Sequence, residues 1–297
     1  MNELVPAKDT NDRRQRQTVV QRLNQQQAFR ILVNKPGVVY SDGQFYQPRT
    51  RWVIDGGSKP ILDFICRAGS LDGVGSEKGE LLYDPDRDGW FKRSIFGLVA
   101  AVGDDQLGRL GITRDPLIKA MQDFPIWLCD DDSREITDFI GINDTDKKLV
   151  FVHAKVGKLG TGGTGFSVTN LQEVGRQALA SLAFISQGEP SAIWTPERWN
   201  SEVKTTAGKL RGRDRIFRTT AGLTADEINE KLKQACSKPS YDKEVWIVGA
   251  KMVRRKALDE GLNAVPLGNR LRQFLMHWDA LQTACARASV RLKLFCQ

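Results

Sequence analysis

The sequence predicts an α/β protein in which helices flank a central mixed sheet, with extensions at both ends of the chain. Three short apolar segments separated by polar turns predict neighbouring strands at residues 125–130, 134–143 and 147–155. A helix is predicted next, over residues 169–186, because apolar side chains recur there at spacings of three and four. A further apolar segment, residues 244–253, predicts another strand of the same sheet.

Composition limits the classes of protein to which this chain can belong. Its 297 residues are 40% hydrophobic, enough to bury a substantial core. No apolar run approaches the roughly 18 residues that span a bilayer, and the amino-terminal segment lacks the apolar centre of a signal peptide. The five dispersed cysteines form no CxxC pair, which fits a reducing compartment and argues against structural zinc. We therefore expect a cytoplasmic location and no membrane partner.

Residues 1–56 are expected to form a separate segment, a basic arm followed by a hairpin. Four arginines make its first part either a phosphate-contacting arm or an exposed helix: Arg13, Arg14, Arg16 and Arg22. The hairpin, within residues 37–56, follows from an Asp-Gly pair between two β-rich runs. Residues 57–297 are expected to form one α/β domain, because no repeat or linker interrupts them.

Five further elements complete the predicted domain. Helices are expected at 90–102, 114–124, 224–236 and about 270–287, and a last strand at 290–296. Two of the helices begin with typical capping residues, Asp115 before Pro116 in one and Thr224 in the other.

The predicted hairpin of residues 134–155 carries unusual charges for a core element. Because side chains alternate along a strand, Phe151, His153 and Lys155 share one face. Asp138 falls among residues that should face the core, where a lone carboxylate is costly unless it is paired or bound to a metal. Lys155 stands at the end of its strand, where it can meet both Asp138 and a ligand.

These residues resemble the motif of the PD-(D/E)XK nuclease superfamily. The matching positions are Asp138, then His153 and Lys155, with Gln177 in the following helix. The resemblance covers about 112–186, with a further core strand near 244–249, and it implies a restriction-endonuclease-like sheet. The chain also resembles the C-terminal nuclease region of helicase-type proteins of bacterial phage-defence loci, in segments such as VYSDGQFYQP, VFVHAK and DKEVWIVGA. This second resemblance implies cleavage of DNA or RNA, with DNA as the favoured substrate and a helicase chain or domain as partner.

The resemblance also implies a mechanism. Asp138 holds a divalent ion, Mg²⁺ or Mn²⁺, which polarises the phosphate and activates water. Lys155 stabilises the developing charge, and Gln177 positions these groups. The superfamily usually has an acid where this chain has His153, and imidazole suits Mn²⁺ better than Mg²⁺. His153 is therefore either a third ligand or a group that orients water or phosphate. Glu135 or Asp132 can supply the missing carboxylate if the first strand bends at its start.

The positive charge, +8 overall, favours nucleic acid as the partner. Candidate contacts are the basic residues that follow the hairpin and cluster later in the chain: Lys158, Lys204, Lys209, Arg211, Arg213, Arg215, Arg254 and Arg255. Trp194, Trp199 and Phe217 lie among them and either stack on bases or are buried. The glycine-rich run KLGTGGTG lacks the order of a phosphate-binding P-loop.

Other interpretations stay open at this point. Asp138 and Lys155 can form an ion pair and nothing more, and His153 can simply bond a backbone carbonyl. The chain can be a catalytically inactive nucleic-acid-binding or assembly module of a helicase system, for which the histidine at position 153 is the argument. His153 and Lys155 also match the His-x-Lys of the phospholipase D superfamily, a metal-independent phosphodiesterase, but the rest of that motif is absent.

Overall fold

A computed structural model describes the greater part of the chain, and each of its two compact units is treated separately. The described residues are 39–41, 44–46, 62–78, 94–103, 114–132, 136–158, 165–187, 194–203, 214–220, 222–264 and 267–297. The units are Met1–Lys59 and Pro60–Gln297. In the first unit, two short strands pair antiparallel with Ser41 opposite Gln44. The two strands that the sequence predicts within residues 37–56 are therefore paired. Asp42, Gly43 and the four arginines of the predicted arm lie outside the described residues.

The second unit carries most of the secondary structure. The strands among the described residues of both units are β1 (Val39–Ser41), β2 (Gln44–Tyr46), β3 (Ile65–Arg67), β4 (Ile126–Cys129), β5 (Phe139–Asn143), β6 (Lys148–Val156), β7 (Ile216–Arg218), β8 (Asp242–Ala250) and β9 (Val290–Cys296). The helices are α1 (Ile95–Gly103), α2 (Pro116–Gln122), α3 (Val168–Gln187), α4 (Pro196–Trp199), α5 (Ala225–Ser237), α6 (Arg255–Asn263) and α7 (Asn269–Arg287). Within the described ranges, no helix combines the length and apolar character needed to cross a membrane.

Strands β3 to β9 form one seven-stranded mixed sheet in the order β3-β9-β8-β6-β5-β4-β7. Strands β6, β8, β9 and β3 run parallel to one another. Strands β5, β4 and β7 continue the sheet with antiparallel pairing. The predicted class, α/β with a central mixed sheet between helices, is confirmed.

These directions bring several strand ends to one side of the sheet, which we call the carboxyl edge. It contains the carboxyl ends of β4, β6, β8, β9 and β3 and the amino ends of β5 and β7. In open α/β sheets, ligands usually bind outside the carboxyl ends of the strands. The candidate residues of β5 and β6 therefore meet at the edge where a site is expected.

Two apolar cores lie on the two faces of the sheet. The first packs one face against α3, α5 and α7, and the second packs the other face against α1 and α2. Strand β6 contributes to both, because Leu149 and Phe151 enter the first core while Val150 and Val152 enter the second. This alternation is the one predicted from the sequence.

Most predicted elements are confirmed, but the strand predicted at 134–143 is shorter. Strand β5 begins at Phe139, and Asp138 lies before it. Local bonds explain the late start, because Ile136 donates its N–H to the Asp130 carboxylate at 3.0 Å and the Thr137 hydroxyl donates to the Val152 carbonyl at 2.7 Å. The predicted caps are present, since Asp115 accepts the N–H groups of Leu117 and Ile118, and Thr224 forms a capping box. Strands β3 and β7 and helix α6 were not predicted.

Candidate functional site

Strand β6 aims two of the predicted residues at helix α3. The Lys155 Nζ lies 2.6 Å from Glu173 Oε1, and the His153 Nε2 lies 3.1 Å from Ser181 Oγ. Both side chains leave the same face of β6, as predicted, but they reach different depths. Lys155 is partly exposed at the carboxyl edge, whereas His153 lies below it in the protein interior.

His153 is held as a neutral imidazole. Its side chain is only 2% exposed, and burial lowers the pKa of the ring to about 3, because desolvation disfavours the charged form. The Ser181 hydroxyl, which also donates to the Ala178 carbonyl at 2.8 Å, is its hydrogen-bonding neighbour. This arrangement supports the packing of β6 on α3.

Asp138 is buried beside the end of β6 and has a backbone partner there. Its Oδ2 accepts the N–H of Ala154 at 2.7 Å, and its own N–H donates to the Val152 carbonyl at 3.0 Å. The N–H of Ala154 lies beyond Val152, the β6 residue that pairs with the first residue of β5. The hydrogen bond from this N–H to the Asp138 carboxylate offsets part of the free-energy cost of burying an acid. The same bond fixes Asp138 next to the residue that precedes Lys155.

Glu77 is a further acid at this edge, and no sequence pattern predicts it there. Burial raises the pKa of its carboxyl, the ammonium groups of Lys155 and Lys78 lower it, and the carboxylates of Asp131 and Glu173 raise it. Lys78 in turn lies 2.5 Å from Asp131. We call Glu77, Lys78, Asp131, Lys155 and Glu173 the edge cluster.

The edge cluster joins parts of the chain that are distant in sequence. Its members come from the segment before α1, the end of β4, the end of β6 and the first turns of α3. Glu77 lies in a glycine-rich run, GVGSEKGE, without apolar periodicity. No local signal therefore linked it to Lys155.

A second charged network stabilises the same edge on the side of β7. Asp130, fully buried, accepts from Arg198 Nε at 2.8 Å and from Trp194 Nε1 at 3.2 Å. Its burial raises the pKa of the carboxyl, and the Arg198 guanidinium opposes that rise. Asp132 lies 3.5 Å from Arg198 and 3.8 Å from Arg215. Asp132, which the sequence offered as a substitute metal ligand, is therefore ion-paired here.

Arg215 was predicted to contact nucleic acid, and the structure corrects this. Its side chain is 1% exposed and donates to the carbonyls of Cys129 at 3.1 Å and Asp131 at 2.7 Å. Because this guanidinium is buried and hydrogen-bonded to backbone carbonyls, it cannot reach a phosphate. Trp194, Trp199 and Phe217 are also buried, so they pack in the interior and do not stack on bases.

The remaining predicted residues differ in where they lie. Gln177 is exposed on α3, one turn after Glu173. Lys158 and Arg254 are exposed near the carboxyl edge. Arg255 bonds the carbonyls of Leu62 and Ile65, and its Nε lies 3.3 Å from Asp259, so it ties α6 to β3. Five residues lie outside the described part of the chain: Glu135, Lys204, Lys209, Arg211 and Arg213.

Several carboxylates lie at the carboxyl edge, and lysines form ion pairs with two of them, Asp131 and Glu173. Among the described residues, no group of three or more His, Cys, Asp or Glu side chains is close enough to hold a metal ion. Mg²⁺, however, usually takes only one or two carboxylates and keeps several waters. Asp138, Glu77 and Asp131 each carry a carboxylate at this edge. His153 offers no accessible nitrogen, because its ring is enclosed.

Comparisons with known proteins do not assign this chain to a family. No protein-family model matches it. No curated protein and no solved structure is similar enough to count as a match.

Proposed function

We propose that this chain is a metal-dependent nuclease that hydrolyses phosphodiester bonds, with DNA as the preferred substrate. The observation that carries the proposal is the edge cluster around Lys155, with Asp138 bonded to the adjacent residue of β6. A lysine among several carboxylates, at the edge of a sheet where ligands bind, is the set of groups that phosphodiester hydrolysis needs.

Each group has a distinct role in this proposal. Asp138, with Glu77 or Asp131, would hold a divalent ion, and that ion would supply the Lewis acidity that polarises the phosphate and lowers the pKa of a water. Lys155 stabilises the charge that develops on the phosphate oxygens. Glu173 holds the Lys155 ammonium in position before substrate arrives. His153, bonded to Ser181, positions β6 against α3.

The resemblance to the PD-(D/E)XK superfamily supports this assignment. Its pattern puts an acid on the second core strand and a lysine at the end of the third, and here Asp138 precedes β5 while Lys155 lies near the end of β6. We extend the proposal to a restriction-endonuclease-like type of sheet and to a role in bacterial phage defence beside a helicase chain or domain. The phospholipase D alternative needs an accessible histidine nucleophile, and the burial of His153 gives it no support.

The test is cleavage of plasmid DNA and single-stranded RNA by the full chain, with Mg²⁺, Mn²⁺ or EDTA. Lys155→Gln and Asp138→Asn should each lower the cleavage rate about 100-fold or more, because each removes a charge that acts on the reacting phosphate. Asparagine at position 138 keeps an oxygen that can accept the Ala154 N–H. Lys233→Gln and Glu230→Gln are matched controls, since these residues form an exposed ion pair of 2.8 Å on α5.

Three outcomes would overturn the nuclease proposal or its site. Cutting that survives EDTA would exclude the metal. If Lys155→Gln and Asp138→Asn both cut at the wild-type rate, the active site would lie elsewhere in the chain. Retained DNA binding without cutting in any metal would favour the inactive binding module.

A further inference from the structure

Three exposed cations stand beside Lys155 at the carboxyl edge without an acidic partner among the described residues. They are Lys158, Lys251 and Arg254. The neighbouring cations of α6 differ, since Arg255 lies 3.3 Å from Asp259 and Lys256 lies 3.8 Å from Glu260. Cations left unneutralised at one edge attract a polyanion.

Backbone hydrogen bonds hold the three cations in fixed places. Gly157 donates its N–H to the Ala250 carbonyl at 2.8 Å, which fixes the residue before Lys158 against the end of β8. Lys251 follows directly, and its N–H donates to Gln297 Oε1 at 3.2 Å. Arg254 donates its N–H to the Gly165 carbonyl at 2.7 Å. The charges are therefore carried by turns that are bonded to the sheet ends.

Lys251 is held in a conformation that its side chain disfavours. Its φ is 50°, in the left-handed region, where the Cβ of an L-residue comes too close to the backbone. Lysine contributes no packing to offset that cost here, because the side chain is exposed. A lysine at such a position fits a role for its charge.

We propose that a nucleic-acid backbone crosses the carboxyl edge from Lys155 over Lys158, Lys251 and Arg254 towards β3. This track rests on the proposed nuclease function and assigns the path of its substrate. Strands lie about 4.8 Å apart, so the three steps from β6 to β3 span about 14 Å, or roughly four nucleotide rises of 3.4 Å. Arg67, at the end of β3, lies 3.1 Å from Asp72 and is therefore an ion-paired cation outside the track.

The contacts on this track are electrostatic. The large apolar side chains exposed among the described residues are Phe64, Leu179 and Met276, and none of them belongs to the turns that carry the three cations. Without an aromatic side chain to stack on bases, binding should be independent of sequence and strongly dependent on salt.

The test measures binding of the full chain in EDTA, so that cleavage plays no part. Fluorescence anisotropy of a labelled 20-nucleotide DNA strand and of its duplex is recorded at several NaCl concentrations. The variant Lys158→Gln/Lys251→Gln/Arg254→Gln should flatten the slope of log K against log[salt] by about 2 for the single strand and about 3 for the duplex. The control is Lys119→Gln/Lys238→Gln/Arg287→Gln, three exposed cations outside the carboxyl edge, which should leave the slope unchanged.

The outcomes separate this inference from the nuclease proposal. The track would be overturned if the triple variant at Lys158, Lys251 and Arg254 kept the wild-type slope of log K against log[salt]. It would also be overturned if the control variant flattened that slope equally, even if the wild type cuts DNA. No measurable binding by the wild type would overturn it as well. A flattened slope in a protein that cuts nothing with any metal would leave the track standing and remove the nuclease. Labelled RNA in a parallel series identifies which nucleic acid the track prefers.

Discussion

His153 and Lys155 show how two residues on one face of one strand acquire opposite properties. Lys155, near the strand end, keeps contact with water and finds Glu173. His153, two residues earlier, is enclosed by the first core and has the Ser181 hydroxyl as its polar side-chain partner. A few ångströms of depth thus separate a charged group of the candidate site from a neutral group of the interior.

The burial of His153 predicts a pH-dependent stability. The folded pKa, about 3, lies below the value of about 6.5 in the unfolded chain. Between these values the unfolded state binds more protons, so the free energy of unfolding falls as the pH drops. From pH 6.5 to pH 5 we expect a loss of about 2 kcal/mol in the wild type, measured by urea unfolding at each pH.

Comparison of two histidine variants isolates this effect. His153→Gln should remove the loss, whatever its own stability at pH 7. His277→Gln, which changes the other histidine of the chain, should retain it. A wild type and a His153→Gln variant with the same dependence on pH would contradict the assignment.

At the scale of the element, the close packing of the end of β6 against the turn at Lys251 requires a glycine at position 157. A Cβ on Gly157 would lie 2.5 Å from the Lys251 carbonyl oxygen and 2.4 Å from Asn170 Nδ2. We expect Gly157→Ala to lower the free energy of unfolding by about 1–3 kcal/mol, because the strand end must move away from the turn at Lys251. Urea unfolding at pH 7 measures the change.

The matched control for this substitution is Gly69→Ala. A Cβ there would meet its nearest neighbours at 3.8 Å or more, an ordinary contact distance. Its effect should stay within about 0.5 kcal/mol. An equally small effect of Gly157→Ala would show that the two turns are not closely packed.

The elements that the sequence predicted are those with strong local signals. Helix α3 has regular apolar spacing, α2 has a cap, and β6 alternates between two cores. The two missed strands lack such signals, since β3 and β7 have three residues each and are strands only through their partners β9 and β4. Their pairing is a long-range contact that no short window of sequence reveals.

The same limit applies to the candidate site. Asp138 and Lys155 stood out because an acid and a lysine are unusual near the core positions of a hairpin. Glu77 did not, because its relation to Lys155 depends on how the segment before α1 crosses the sheet edge. Arg215 was misjudged for a related reason, since charge in a basic segment says nothing about burial.

At the scale of the whole molecule, the second unit contains all seven strands of the sheet and both cores. A fragment of residues 60–297 should therefore fold without the first unit. We expect a melting temperature within about 3 °C of that of the full chain by circular dichroism, since less than 1 kcal/mol should be lost. A fragment that precipitates, or melts far lower, would show that residues 1–59 complete its core.

The ion pairs of the edge cluster have a consequence for how two ligands bind together. Lys78 forms an ion pair with Asp131, and Lys155 forms one with Glu173. In the proposed nuclease, a divalent ion bound by Asp131 would release the Lys78 ammonium at the edge where a phosphate would lie. The binding of metal and of nucleic acid would then be thermodynamically linked, and each ligand would raise the affinity for the other by the same factor. On that proposal, the Lys78 ammonium is free to contact the substrate only when the metal ion has taken its carboxylate partner.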